Sequence, residues 1–464
     1  MAGTRGGDLR RAAVLAIALA ICLGGAAEAR AEFTPGAAGL GDPFFPKAGN
    51  GGYDVDHYDL ALRYRPRDNH LRGKATITAS TTQDLSAFDL DYRGPELTAV
   101  KVNGARAGAE RNGQELVITP SAGIPAGSHF TVRVTYKGRP RYVKDPDGSK
   151  DGWIPTDDGA FVVGEPQGAP TWYPCNDYPT DKATFDVSVK VPRGVEAVSN
   201  GRLISRKRRG SHVTWSWAAE QPMATYLATA SIGNFKLDRR RVAGIASVIA
   251  VDRRERRDSK SALDRLPRIV RLFRSLYGPY PFNAVGALVD HAPSVGYALE
   301  TQTRPSFHAA TDDVTLAHEI SHQWFGDSVS LTSWPQMWLN EGFATWSEWR
   351  WTEATGGATT AEQFRDFADE PASRDRIWNP PPAVIPSPGK LFSESVYVRG
   401  AMALEALRQR IGDAAFYATL RAWAGGHAYG NATIDEFIAL AEAQSGQDLD
   451  GLFQTWLIEA GKPV

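Results

Sequence analysis

The stretch AHEISHQWFGDSVSLTSWPQMWLNEGFATW, residues 317–346, decides how the rest of the chain is read. It opens with His318 and His322 four residues apart, on one face of a helix, where two imidazoles can chelate a single zinc ion. Glu319 stands beside them. A structural zinc is closed by four protein ligands, whereas a hydrolytic one takes three and keeps a position open for water. The third ligand must come from elsewhere, and eighteen residues separate His322 from Glu341 in Trp338-Leu339-Asn340-Glu341-Gly342. A second helix packed antiparallel to the first returns that carboxylate to the metal. The pattern therefore predicts one Zn2+ per chain held by His318, His322 and Glu341, with Glu319 placed to take a proton from an attacking water. Asp327, in the continuation Trp324-Phe325-Gly326-Asp327, is a candidate for orienting a ligand imidazole.

Upstream and downstream of this stretch the period is helical. Leu263, Leu266, Ile269, Val270, Phe273 and Leu276 recur at three- and four-residue steps until Gly278 and Pro279-Tyr280-Pro281 stop them. A short strand is expected at 284–289, then helices through 315–325, 339–349, 400–411, 433–443 and 449–457. Thr433 with Glu436 reads as a capping box. Before residue 245 the period is two: Tyr58, Leu60, Leu62 and Tyr64 alternate with Asp59, Ala61 and Arg63, as do Phe130 to Tyr136 and Phe185 to Val191. The expected fold is α+β and multidomain, an all-β domain over 51–245 followed by a mainly helical domain over 246–464. Residues 32–50, rich in Gly, Pro and Ala, read as a flexible lead.

Residues 1–31 carry Arg5, Arg10 and Arg11, an apolar run from Ala12 to Leu23, and small residues at Ala27, Ala29 and Ala31. That is the three-part pattern of a secretory signal peptide cleaved after Ala29 or Ala31, and it predicts an exported protein without stable membrane association. Cys22 would leave with it, so Cys175 has no partner for an internal disulfide. Lys+Arg 52 against Asp+Glu 53 leaves no global field to draw nucleic acid, and the arginine runs at 206–209, 239–241 and 253–257 read as solvated turns and edges. Asp145, Asp147, Ser149 and Asp151 space their oxygens like a calcium loop, but Gly148 is misplaced and Thr156 stands where a bidentate Glu is needed. A hydrated turn is expected there. The sequence assigns no oligomeric state.

At these residues the chain resembles the M1 family of gluzincin aminopeptidases. His318 to His322 with Glu341 matches the family's H-E-x-x-H-x18-E, including its Trp-Phe-Gly-Asp continuation. Ala298-Leu299-Glu300-Thr301 resembles G-A-M-E-N, with Tyr297 and Thr301 departing from it. Tyr397-Val398-Arg399-Gly400 is similar to Y-E-K-G, and Tyr173-Pro174-Cys175-Asn176-Asp177 to F-P-C-x-D-E-P. The resemblance spans about residues 50–460. It implies a β-saddle domain, a thermolysin-like catalytic domain and peptide substrates cut at their N-terminal residue. It also implies that Glu300 binds the substrate's free amine, that Tyr397 donates to the oxyanion, and that Glu165 or the nearby Gln167 completes the amine pocket. The family's larger members enclose the substrate with a C-terminal helical domain, whereas this chain ends soon after Tyr397, so a cleft open on the side away from the amine anchor is expected.

Overall fold

Tyr58, Leu60, Leu62 and Tyr64 all lie within 3% of full burial, because alternate side chains of a strand share one face. They belong to β1 (Tyr53–Arg65), which pairs antiparallel with β2 (His70–Thr81). The computed structural model describes residues 32–463, so the expected signal peptide lies outside the described residues. Following strands are β3 (His129–Gly138), β4 (Tyr142–Lys144), β5 (Lys150–Pro155), β6 (Lys182–Pro192), β7 (Arg202–Arg209) and β8 (His212–Ala224). Among the described residues the largest sheet has eight strands, ordered β7-β8-β6-β1-β2-β3 and completed by Glu96–Val102 and Ala105–Arg106. β6 joins β1 in parallel with Phe185 opposite Tyr58 and Val187 opposite Leu60, and the two rings stack at 4.7 Å. Each such side chain taken out of water contributes about 1.5–3 kcal/mol.

The second half begins with a hairpin of β9 (Phe235–Val242) and β10 (Ile245–Asp252) and continues through α1 (Arg256–Tyr277) and β11 (Ala284–Val289). β12 (Ala298–Leu299) and β13 (Ser306–Phe307) complete a sheet ordered β9-β10-β11-β13-β12. The helices that matter for the site are α2 (Asp313–Ser321), α3 (Trp338–Ala354), α4 (Glu394–Gly426) and α5 (Ile434–Ser445). The capping box of Thr433 and Glu436 is present at the start of α5. Buried tryptophans at 338, 346, 349 and 351 put apolar surface on more than one side of α3, so this helix is core throughout.

Three expectations change. A domain boundary at 245 falls inside the β9–β10 hairpin, so the sheet bordering the site starts at Phe235; its first strands share the two-residue period of the preceding domain, and the change of period lags the change of sheet. The lead is not loose. Thr34–Pro35 pairs beside Leu85 and Ala87, Phe45 is 6% exposed, and the Asp42 carboxylate accepts from Phe44 N, Phe45 N, Tyr178 Oη and Trp334 N. α4 extends well past the expected 400–411, turning at Gly412, whose φ of 79° only glycine adopts without strain. The arginine runs at 206–209 and 239–241 lie on the sheet-edge strands β7 and β9.

Candidate active site

α2 is capped by Asp312, whose carboxylate accepts from Val314 N and Thr315 N, and it delivers His318 and His322 at its buried end. α3 packs against it and presents Glu341 in its first turn. Glu341 Oε2 lies 3.1 Å from His318 Nε2 and 3.5 Å from His322 Nε2, and one ligand atom from each residue falls within 4.8 Å of the other two. The other ring nitrogens are engaged: His318 Nδ1 donates to Glu348 Oε1 and His322 Nδ1 to the Phe325 carbonyl at 2.9 Å. Each imidazole is thereby left with Nε2 free to accept a metal, directed at the same point as a buried carboxylate. Two nitrogens and one oxygen with oriented imidazoles are the donor set of a hydrolytic zinc. Burial opposes ionisation of Glu341, yet His322 and His318 hold its carboxyl down at about 2.

Asp327 does not orient either ring. The turn after α2 brings the Phe325 carbonyl to His322 instead, and Gly326, at φ 130°, leaves no side chain there; a Cβ would stand 3.1 Å from His322 Nδ1. The residue that orients His318 is Glu348, which the sequence reading missed. It lies seven residues after Glu341 on the same helix, two turns on and thus on the same face.

Glu319 is 5% exposed, its Oε2 has no hydrogen-bond partner, and burial with nearby Glu300 and Glu341 pushes its carboxyl up to about 8 against the pull of the two histidines. Glu300, just beyond β12, shares a cluster with Glu319 and His322, and another with Glu165 and Glu341. Gln323, also missed from sequence, positions it: its side-chain amide donates to the Glu300 carbonyl at 3.0 Å and accepts from Thr303 N at 2.6 Å. Of Glu165 and Gln167, the structure puts Glu165 in the cleft, while Gln167 faces Arg93 at 3.4 Å. Asp151 fixes that loop by accepting from Gln167 N. Asp145 and Asp151 are buried, while Pro146, Asp147 and Gly148 between them form the exposed turn expected there, at the tip of a tethered hairpin.

Tyr397 occupies the first turns of α4 with its ring nearly parallel to that of His318, centroids 6.1 Å apart. Two glycines set this approach. A Cβ on Gly400 would lie 2.6 Å from Trp338 Cδ1 and 3.1 Å from Gly342 Cα, so the helices carrying Glu341 and Tyr397 meet backbone to backbone. All seven expected residues line one cleft of ≈ 450 Å³, together with Glu348, Asp147, Ser149, Tyr297 and Phe392. Near this cleft the hairpin tip at Pro146 reaches Gly389, where a Cβ would come 3.2 Å from the Pro146 carbonyl.

A β domain followed by a helical domain whose two histidines and distant glutamate form a three-ligand zinc site defines the gluzincin class of metallopeptidase. Residues 54–227 match the model of the peptidase M1 N-terminal domain and residues 298–456 that of the peptidase family M1 domain. Aminopeptidase M1 of Arabidopsis thaliana is 29% identical over 332 residues, 65% of this chain and 37% of the plant protein. Probable aminopeptidase 2 of Sulfurisphaera tokodaii is 24% identical over 445 residues, 88% of this chain and 54% of that protein. This chain thus spans only part of the length of those relatives. The crystal structure of an M1 zinc metallopeptidase mutant from Deinococcus radiodurans bound to a Tyr-Ser-Ala substrate matches with a TM-score of 0.84 at 28% identity, covering 92% of this chain and 99% of that one. The chain belongs to peptidase family M1.

Proposed function

We propose that this chain is a zinc-dependent aminopeptidase that removes N-terminal residues from peptides. The observation that carries the proposal is the placement of Glu165 and Glu300 beside the metal ligands, with carboxylate atoms of Glu165, Glu300 and Glu341 within 4.8 Å of one another. Glu165 Oε1 and Glu300 Oε1 are buried without partners, and a substrate ammonium entering a partly dry cleft needs such acceptors. When bound at His318, His322 and Glu341, zinc supplies Lewis acidity, bringing the pKa of a water to about 7 and polarising the scissile carbonyl. Glu319 takes the proton from the attacking water and passes it to the departing amine. The Tyr397 hydroxyl donates to the carbonyl oxygen as charge develops on it. The anchor fixes which peptide bond reaches the reacting groups.

The same reading places the protein outside the cytoplasm after removal of residues 1–31, on the charged, apolar and small-residue pattern of that segment. Incubating the zinc-loaded protein with one peptide bearing a free and an acetylated N-terminus tests the central claim. Stepwise loss of residues from the free form alone is expected; internal cuts, or equal cleavage of the acetylated peptide, would overturn it.

A further inference from the structure

The lining of the cleft holds acidic side chains at Asp147, Glu165, Glu300, Glu319, Glu341 and Glu348 and no lysine or arginine. Five of the six have work in the reading above, at the amine, the proton transfer, the metal and the His318 ring. Asp147 has none. It comes from the tip between β4 and β5, in the other half of the molecule from the metal ligands, and that tip is held in place. Gly148 N donates to the Asp145 carbonyl at 2.8 Å, and Asp145 N to the Ser149 carbonyl at 3.0 Å. Tyr297 Oη donates to the Lys150 carbonyl at 2.8 Å, and Pro146 abuts Gly389. One oxygen of Asp147, Oδ1, accepts from Ser149 N and Ser149 Oγ at 2.8 and 2.6 Å. No ion pair within 4 Å involves Asp147 among the described residues; the nearby Lys150 ammonium lies over the Tyr142 ring, 5.2 Å from its centroid.

The position along the cleft follows from the chain itself. From Glu300 the wall runs backwards through Ala298, Tyr297, Gly296 and Val295, and the tip is tied on at Tyr297. With a peptide's ammonium at Glu300 and Glu165 and its first carbonyl at the metal, the wall from Ala298 to Val295 and the tip tied to it are lining left for the residue beyond the cut. We propose that Asp147 reads the residue immediately after the scissile bond and selects a cationic side chain there, Arg or Lys, over an acidic one. This inference rests on the aminopeptidase reading and adds a specificity-determining residue to it. Asp147 is exposed at the cleft, where a charge acts at an effective dielectric near that of a protein surface, so the discrimination expected from Asp147 alone is about three- to tenfold.

The test compares kcat/KM of the zinc-loaded protein on Leu-Arg-Ala and Leu-Glu-Ala, and on Arg-Ala-Ala and Glu-Ala-Ala. Wild type should favour Arg over Glu in the second position. Asp147→Asn should shrink that ratio about three- to tenfold, and Asp147→Lys should invert it, with the ratio for the first position moving less than twofold. A wild type that removes leucine from both peptides at equal rates overturns the inference and leaves the aminopeptidase reading standing. An unchanged second-position ratio in both variants also overturns it, as does a shift confined to the first position, which would put Asp147 on the amine side. Failure of wild type to release any N-terminal residue would overturn the underlying reading and this one with it.

Discussion

Replacing Glu348 tests whether the metal site is built by its three ligands alone. Glu348 Oε1 lies 2.5 Å from His318 Nδ1, while its side chain is 27% exposed and that of His318 11%. A hydrogen bond to a charged partner contributes about 1.5–3 kcal/mol when buried, and the exposure of Glu348 argues for the lower half of that range. Loss of such a partner behind a metal-binding imidazole costs about 10- to 100-fold in affinity. Glu348→Ala is therefore expected to weaken zinc binding about 10- to 30-fold. Glu348→Gln keeps an acceptor but loses the charge, and a loss of about threefold is expected. Zinc affinity is measured by competition with a chromophoric chelator at fixed pH, with the thermal midpoint of the metal-free protein as the check on folding. Wild-type affinity in both variants, with folding intact, would show that His318 is oriented by packing and would refute the reasoning.

Glu319→Gln should retain one zinc per chain yet lose about a thousandfold in kcat/KM; full zinc content with near-normal turnover would remove Glu319 from the proton transfer. Tyr397→Phe removes one hydroxyl and should lower kcat about a hundredfold with little change in KM, a split that steady-state kinetics reads directly. Asp158, Asp252 and Asp290 place three carboxylate oxygens within 4.8 Å of one another, and burial pushes the Asp290 carboxyl up to about 8. The folded state then holds a proton that the unfolded chain releases near pH 4, so this group's contribution to stability declines as pH rises from about 4 to about 8. Asp290→Asn should leave the thermal midpoint unchanged near pH 4 and raise stability by about 2 kcal/mol at pH 9. A midpoint difference that does not grow with pH would contradict this.

The expected metal ligands and Glu319 were legible because two histidines one helical turn apart, followed by a glutamate at a fixed distance, have a mechanical meaning, whereas Glu300 and Tyr397 were singled out by resemblance to family motifs; the structure brings all of them to one cleft. Glu348 follows the same rule at two turns, but seven-residue spacing is so common on helices that it singles nothing out. Gln323 and Asp147 act through contacts between segments distant in sequence, Gln323 to Thr303 and the Asp147 tip to Tyr297 and Gly389, and no local period records those. The choice between Glu165 and Gln167 depended likewise on where Asp151 pins the loop. Strand and helix content was clear from periodicity, whereas the packed lead was not, because its order comes from isolated tertiary contacts, among them the Thr34–Pro35 pairing and the Asp42 carboxylate that satisfies four donors, rather than from a repeating pattern.

Arg399 stands two residues after Tyr397, fully buried, and its guanidinium donates to the carbonyls of Trp378, Thr455, Trp456, Glu459 and Gly461. Five backbone oxygens from two distant segments thus converge on the helix that presents the tyrosine. For protein engineering, this makes residues 455–461 part of what holds the helix of Tyr397 in place, although none of them lines the cleft. Trimming them would strand a desolvated cation on the helix that carries Tyr397. A purification tag belongs beyond Gly461, on a spacer long enough to leave these carbonyls where they are.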